Sequence, residues 1–259
     1  MNILFLGDIS GSCGRDVVFK YLYDLKEKFS VDFCIANAEN SAGGFGATQA
    51  TLSELSKAGV DAFTMGNHTY SKKEIFSVLE NNEFDIVRPF NLPKGDPGRG
   101  YMVCRTRSGE RVAVINALGR LYMSLPVSNA FEDIHAVLDE VREKTNYIII
   151  DIHAEATSEK KALAYFVDGK ASAVIGTHTH IQTADEMVLP NGCGYITDVG
   201  MCGARQSVLG AEINVGIRKF ITSVPAKFEI SDVEPMLNAV FLELDESGRT
   251  KRIERINLY

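Results

Sequence analysis

Ala171-Ser172-Ala173-Val174-Ile175-Gly176-Thr177-His178-Thr179-His180 is the stretch of sequence that decides the fold. Its apolar first half predicts a buried strand, and two of the chain's five histidines follow directly where that strand gives way to a loop. Side chains at positions i and i+2 of a strand point the same way, so His178 and His180 face one cleft if the strand geometry continues that far. Taken alone, the pair is equally compatible with two unrelated loop histidines.

The same order of strand, polar loop and helix recurs in the first third of the chain. Apolar runs predict strands at residues 2–6, 33–36 and 62–65, and helical periodicity predicts helices at residues 14–29 and 48–58. The strands run into three polar segments: Gly7-Asp8, Ala38-Glu39-Asn40 and Gly66-Asn67-His68. Such α/β alternation predicts a sheet whose carboxyl edge holds the functional site.

The second half continues the alternation and then becomes rich in strands. Residues 147–152 form a continuous aliphatic strand that ends at Asp151-Ile152-His153. The remaining predicted elements are strands at residues 101–105, 111–116, 187–189, 194–197, 238–244 and 252–258 and helices at 132–144 and 158–167. We assign the last two strands to a sheet edge or a sandwich, and residues 1–259 to a single domain.

Composition excludes several classes of protein. No run approaches the ~20 apolar residues of a membrane span, and the apolar run at residues 3–6 is too short for a secretion signal, so we expect a cytoplasmic protein. A net charge of −7 argues against binding to a nucleic-acid polymer. Five cysteines without CxxC spacing predict free thiols rather than disulfides or a zinc finger.

Carboxylate, carboxamide and imidazole side chains gather at the predicted strand ends. They are Asp8, Glu39, Asn40, Asn67, His68, His153, His178 and His180. These groups suit Mn²⁺, Fe or Zn²⁺, and there are too many of them for one tetrahedral ion but about enough for two ions that share a carboxylate. Asp8 or Glu39 by itself could equally be a helix cap or a turn residue.

The order of these motifs resembles that of the calcineurin-like metallophosphoesterases. The matching blocks are Gly7-Asp8, Asn40, Gly66-Asn67-His68, His153 and Gly176-Thr177-His178-Thr179-His180. Ser10 stands where those enzymes usually have a metal-binding histidine, and Ala38-Glu39-Asn40 replaces the usual bridging Gly-Asp. Both departures resemble the YmdB subgroup of bacterial cyclic-nucleotide phosphodiesterases, as does the stretch from Thr197 to Gly203.

The resemblance implies a fold and a set of site residues. The fold is a four-layer α/β/β/α sandwich of two mixed sheets flanked by helices, with the metals at the carboxyl ends of the strands. Asp8, Asn40 and His180 are implied to hold one ion, Asn67, His153 and His178 the other, and Glu39 to bridge them. His68 is the implied general acid for the departing ribose oxygen, and its alternative role is to orient a metal ligand.

The implied function is hydrolysis of 2′,3′-cyclic nucleotides, with 3′,5′-cyclic nucleotides as further candidate substrates. The implied cofactors are two divalent or trivalent metal ions, for which Fe and Mn are preferred over Zn. Two such ions can activate water and stabilise the leaving oxygen. The alternatives are a phosphomonoesterase or protein phosphatase of the same fold, and a regulatory metal-binding protein that acts through a partner. The resemblance also implies self-association.

Two aromatic residues, Phe45 and Tyr70, are candidates for stacking on a base, and the sequence does not favour one over the other. The glycine-rich loop at residues 43–46 is left out of the predicted site.

Overall fold

The computed structural model of the protein describes residues 1–224, 227 and 229–259. The helices in this part of the chain are α1 (Gly11–Phe29), α2 (Gln49–Ala58), α3 (Ile75–Asn81), α4 (Ala130–Arg142), α5 (Thr157–Phe166) and α6 (Ile213–Ile221). The strands are β1 (Asn2–Leu6), β2 (Asp8–Ile9), β3 (Phe33–Asn37), β4 (Ala62–Thr64), β5 (Ile86–Val87), β6 (Tyr101–Arg105), β7 (Arg111–Leu118), β8 (Tyr147–His153), β9 (Ala173–Thr177), β10 (Met187–Val188), β11 (Gly194–Ile196), β12 (Met201–Ala204), β13 (Pro235–Leu244) and β14 (Thr250–Leu258).

The strands form two mixed sheets. The larger sheet has the order β2-β12-β13-β1-β3-β4-β5, and β14 pairs with β13 outside this path. The smaller sheet has the order β10-β11-β9-β8-β7-β6. The strands β1, β3, β4 and β5 run parallel to one another, and so do β7, β8, β9 and β11, so their carboxyl ends lie along one edge of each sheet.

Alternation of side chains along each strand separates the core into three layers. In β1, Ile3 and Phe5 belong to the cluster between the two sheets, whereas Leu4 and Leu6 pack on the outer side with α1 and α2. In the smaller sheet, Ile149 joins the cluster between the sheets, and its neighbours in β8 pack against α4 and α5. Because both faces of these strands are covered, their sequences are continuously apolar rather than alternating.

The layers confirm the predicted four-layer α/β/β/α sandwich of two mixed sheets flanked by helices. Each predicted helix and strand is present, with ends that move by up to about three residues. The last two strands agree with their assignment to a sheet edge or a sandwich: β14 lies at an edge beside β13, and β13 lies inside the larger sheet, paired with β1, β12 and β14. The short elements α3, α6, β2, β5 and β12 were not predicted, because two to nine residues give little periodicity.

All five cysteines are free, as predicted, and all five are buried. None of the helices in the described part of the chain combines the length and the apolarity that a bilayer span needs.

Candidate metal centre

The layer between the sheets changes from apolar to polar at the carboxyl ends of the strands. Five strands carry an apolar residue that packs between the sheets: Ile35, Ala62, Val114, Ile149 and Ile175. Two residues further along each strand, on the same face, lies a fully buried polar residue: Asn37, Thr64, Asn116, Asp151 and Thr177. Asp151 is the centre of this layer, because its carboxylate accepts hydrogen bonds from Thr64, from Asn37 Nδ2 at 3.0 Å and from Thr177 Oγ1 at 2.7 Å. The metal-ligand candidates lie directly beyond it.

His153, two residues after Asp151 on β8, is the centre of the first group of candidate ligands. Its Nε2 lies 2.9 Å from Glu39 Oε1, 3.0 Å from Asn67 Oδ1 and 3.0 Å from His178 Nδ1. Glu39 follows β3, Asn67 follows β4, and His178 follows β9, so four strand ends meet here. Glu39, His153 and His178 form a group whose ligand atoms lie within 4.8 Å of one another.

Asp8, Asn40 and His180 form the second group. His180 Nε2 lies 3.0 Å from Asn40 Nδ2 and 3.8 Å from Asp8 Oδ1. Asp8 Oδ2 accepts a hydrogen bond from the backbone N–H of His178 at 3.1 Å, which joins the two groups. Asn40 presents its amide nitrogen to His180, so the amide must turn over before its oxygen can act as a ligand.

The turn that carries His178 and His180 corrects the sequence argument for this pair. Strand β9 ends at Thr177, and both histidines have positive φ, 100° and 65°, so the strand geometry does not continue through them. They still reach one site, because Thr179 between them is anchored elsewhere. Its N–H and Oγ1 both donate to Asp198 Oδ2, at 3.0 and 2.8 Å. Positive φ at a non-glycine residue is a strained conformation that persists only where the surrounding structure holds it, and here the anchored Thr179 lies between the two residues.

A buried ion pair holds Asp198 in place. Lys160 Nζ donates to Asp198 Oδ2 at 2.7 Å, and both side chains are fully buried. Asp198 Oδ1 accepts a further hydrogen bond from the N–H of Gly200 at 2.8 Å. With its charge paired and both oxygens bonded, Asp198 is a firm anchor for the histidine turn.

Each of the three imidazoles is oriented through the nitrogen that points away from the ligand groups. His153 Nδ1 lies 2.8 Å from Thr177 Oγ1, and this hydroxyl gives its own proton to Asp151, so it accepts from Nδ1–H. In the same way His180 Nδ1 lies 3.0 Å from the carbonyl of Leu209, and His178 Nε2 lies 3.2 Å from a carboxylate oxygen of Glu155. The nitrogens that face the site therefore carry lone pairs, as metal ligands require.

Burial sets the charge states of these residues. It raises the pKa of Asp8 well above its ordinary value, and the neighbouring Asp198 and Glu39 raise it further. Burial also raises the pKa of Glu39, and it raises that of Asp151 to about 7 against the effect of its hydrogen bonds. Conversely, burial lowers the pKa of His153 well below its ordinary value and that of His178 to about 4. The lowered pKa values make these two imidazoles neutral at pH 7.

The residues fit a metal centre. Around His153 Nε2, the atoms of Glu39, Asn67 and His178 are all acceptors, and four lone pairs at about 3 Å repel one another unless a cation lies among them. Asp8 Oδ1 is buried and accepts no hydrogen bond from the described residues, which leaves it available to a cation. The site offers the oxygen and imidazole donors that first-row transition metals accept.

The structure brings together all seven predicted metal ligands, and His68 lies beside them. The backbone N–H of His68 donates to Glu39 Oε2 at 2.9 Å, and its ring packs edge-on against Phe45 with the centroids 4.8 Å apart. Sequence reasoning missed the residues that orient the ligands: Asn37, Asp151, Glu155, Lys160, Thr177 and Asp198. The polar residue at the last inward position of each apolar strand was the available signal.

We expect Thr177→Val to weaken metal binding by about 10- to 100-fold, because His153 loses the hydrogen bond that fixes its tautomer. Titration of the metal-free protein with Mn²⁺ measures this. Thr250→Val is the matched control, since buried Thr250 also loses one hydrogen bond, from its Oγ1 to the carbonyl of Ser172 at 2.7 Å. Equal metal affinity in the two variants would contradict the orienting role of Thr177.

A cleft of about 740 Å³ opens above the ligands. One side is polar and contains Glu39, Asn40, His68, Glu155, His178 and His180. The lining residues from α6 and from the segments on either side of it are mainly apolar, with Lys219, Thr222 and Ser223 among them. The volume suits a small organic molecule rather than a polymer.

Comparison with known proteins agrees with this geometry. A family model described as YmdB-like protein matches residues 4–256. The 2′,3′-cyclic-nucleotide 2′-phosphodiesterase of Bacillus subtilis (strain 168) is 44% identical over 257 residues, which cover 99% of this chain and 96% of that protein.

Solved structures of phosphate-ester hydrolases have a similar fold. The crystal structure of a novel phosphatase from Mycoplasma pneumoniae superposes with a TM-score of 0.92 at 36% identity and covers 100% of this chain and 93% of that one. A 5′-nucleotidase precursor from Thermus thermophilus has a TM-score of 0.63 at 13% identity, over all of this chain and 54% of its own length, which shows a shared fold.

Proposed function

The chain belongs to the YmdB-like protein family of metallophosphoesterases, and from this premise we propose that it is a metal-dependent phosphodiesterase that hydrolyses 2′,3′-cyclic nucleotides. The observation that carries the proposal is the set of acceptor atoms around His153 Nε2, which is arranged for a cation beneath an open cleft. The 44% identity to a 2′,3′-cyclic-nucleotide 2′-phosphodiesterase over nearly the whole chain supports the substrate.

Two metal ions are proposed at this site. Asp8, Asn40 and His180 would hold one, Asn67, His153 and His178 the other, and Glu39 would bridge them. Bound there, the ions would supply an activated water and neutralise the charge that develops on the phosphate oxygens. Fe or Mn suits the mixed oxygen and imidazole donors, and Zn is the next choice.

The protein's own residues orient the metal-ligand candidates and supply the proton for the leaving oxygen. The lone pairs of the ligand imidazoles face the other candidate ligands, and the hydrogen bonds of Thr177, Glu155 and Leu209 keep them there. His68 lines the cleft beside Glu39, and we propose that it donates a proton to the departing ribose oxygen. Breaking the bond to the 2′ oxygen would leave a nucleoside 3′-phosphate.

A phosphomonoesterase of the same fold is the second candidate, supported by the high structural similarity to the protein described as a novel phosphatase. We also propose that the protein is cytoplasmic, as its composition led us to expect, and that it self-associates, as the resemblance implies.

The experiment that tests the function compares 2′,3′-cyclic AMP, 3′,5′-cyclic AMP and p-nitrophenyl phosphate as substrates for the purified protein. We expect fastest turnover of the 2′,3′-cyclic nucleotide, loss of that turnover after chelation, and its recovery with Mn²⁺ or Fe²⁺. Hydrolysis of the phosphomonoester without hydrolysis of either cyclic nucleotide would replace the first candidate with the second.

His68→Ala, assayed with the same substrates, tests the proton donor. General acid catalysis contributes about 10²- to 10⁴-fold, so turnover should fall in that range while metal content stays that of the wild type. A variant that binds metal and keeps full turnover would remove His68 from the chemistry.

A further inference from the structure

The cleft above the metal-ligand candidates has a second, apolar side that phosphate chemistry does not need. We refer to the side chains that form it as the apolar wall: Val208, Leu209, Val215, Phe220 and Val224. Lys219, Thr222 and Ser223 also line this part of the cleft, but a phosphate group and its metal ions make no use of the apolar side chains. The apolar wall must therefore serve the remainder of the substrate or something else that covers it.

The apolar wall is unusually exposed for its composition. Phe220 is 84% exposed, Val224 57% and Leu209 47%. Within α6, Gly216 is the only residue that is buried, so this helix contributes almost nothing to the core. Exposing this much apolar surface at the mouth of a polar site is costly unless a ligand covers it.

The apolar wall is directly hydrogen-bonded to one of the metal-ligand candidates, His180. Val208 and Ala211 exchange two backbone hydrogen bonds of 2.9 and 3.0 Å, and the turn between them carries Leu209 with φ 54°. The carbonyl of Leu209 is the group that accepts from His180 Nδ1. Gly216 brings α6 onto this turn, since a Cβ there would lie 2.6 Å from that of Val208. A ligand held at His180 therefore lies next to the apolar wall.

An aromatic ring flanks the polar side as well. Phe45 lines the cleft and packs edge-on against His68, and it lies in a loop in which Gly43, Gly44 and Gly46 all have positive φ. Hydrogen bonds from Ala42 N–H to the carbonyl of Gly46 and from Gly44 N–H to that of Asn40 close this loop. The glycine-rich loop thus belongs to the site, although the sequence argument left it out.

Tyr70, the other candidate for base stacking, is engaged elsewhere. Its hydroxyl donates to the carbonyl of Pro97 at 2.9 Å, and its ring stacks on Phe76 with the centroids 5.5 Å apart. The structure therefore favours Phe45, which lines the cleft, over Tyr70 as the residue that contacts a base.

We propose that the apolar wall, with Phe220 as its main contact, binds the nucleobase of the cyclic nucleotide, and that Phe45 contacts the nucleoside from the side of His68. This rests on the proposed function. The side chains of the apolar wall have no hydrogen-bonding atoms, so they contact the flat face of a base, whereas Lys219, Thr222 and Ser223, which line the same part of the cleft, can reach its edge or the phosphate. The apolar wall consequently favours purines through their larger stacking area.

The test uses kcat/KM for 2′,3′-cyclic AMP and for methyl β-ribofuranoside 2′,3′-cyclic phosphate, which has the same reacting group and no base. We expect Phe220→Ala to lower the ratio of the two kcat/KM values by about ten-fold, and by less when uridine replaces adenosine. Phe45→Ala should lower the same ratio. Tyr122→Ala is the matched control, since Tyr122 is 88% exposed and is not among the residues that line the cleft, and it should leave the ratio unchanged.

The outcomes separate this inference from the proposed function. A wild-type enzyme that hydrolyses neither substrate refutes the function. A wild-type enzyme that hydrolyses both, with an unchanged ratio in Phe220→Ala and Phe45→Ala, overturns the nucleobase subsite alone. An unchanged ratio together with a smaller sedimentation coefficient of Phe220→Ala would show that a second copy of the chain covers the apolar wall, which also overturns it.

Discussion

Glu39→Gln is expected to lower turnover of 2′,3′-cyclic AMP on the order of 10³-fold, or about 4 kcal/mol at 1.36 kcal/mol per tenfold. The substitution keeps the shape of the side chain and removes the anion that we place between the two metal ions. Glu39 is 1% exposed, and its Oε1 lies 2.9 Å from His153 Nε2, so no other carboxylate can take its place without rearrangement. Metal content per chain should fall together with turnover.

Thermal unfolding separates loss of metal from loss of fold. Burial raises the pKa of Glu39, so the folded state binds its proton more tightly than the unfolded state does, and the metal-free wild type loses stability as pH rises above the ordinary pKa of glutamate. Metal-free Glu39→Gln escapes this loss, and its Tm should equal or exceed that of the metal-free wild type at pH 7. The rise in Tm when Mn²⁺ is added should be smaller in the variant.

Glu246→Gln is the control, because Glu246 is an exposed residue of the turn between β13 and β14. It should keep wild-type turnover and metal content. Full metal content with full turnover in Glu39→Gln would remove Glu39 from the proposed centre.

Gly66→Ala is expected to abolish metal binding and lower turnover by more than about 10²-fold. An added Cβ would lie 2.3 Å from Glu39 Oε2, 2.3 Å from His153 Cδ2 and 2.5 Å from His153 Nε2. Both side chains are fully or almost fully buried, so neither can move away without breaking the arrangement of ligands. Overpacking of this kind lowers the free energy of unfolding by about 1–3 kcal/mol, so the variant should still fold. The arrangement of the ligands should be lost, because the added Cβ displaces two of them.

Gly95→Ala provides the matched control, because a Cβ at exposed Gly95 meets nothing within 4 Å. Circular dichroism and unfolding should show both variants folded at room temperature, and only Gly66→Ala should lose Mn²⁺ binding and turnover. Retention of both by a folded Gly66→Ala protein would mean that the ligands do not act where the structure places them.

Much of the fold was predictable because its strands are long or covered on both faces. Residues 3–6 and 148–150 are continuously apolar, and the structure places their strands in the middle of the two sheets. The helix α3 was missed because its seven residues give little periodicity. In α6 the residues Ile213, Ile217 and Phe220 follow helical spacing, but the helix has only nine residues and this apolar face is exposed rather than packed on the core.

The sequence by itself determined the α/β alternation, the chemical type of the site and the eight polar residues gathered at the strand ends, because strand ends and their polar residues are local features of the chain. The family resemblance then selected seven of these residues as metal-ligand candidates. Only the tertiary structure decided how those residues meet. His178 and His180 reach one site through a turn with positive φ that Asp198 anchors, not through continuation of β9, and His153 is oriented by Thr177 and Asp151. These contacts join residues far apart in sequence, and the packing of the two sheets, which no local pattern specifies, sets their distances.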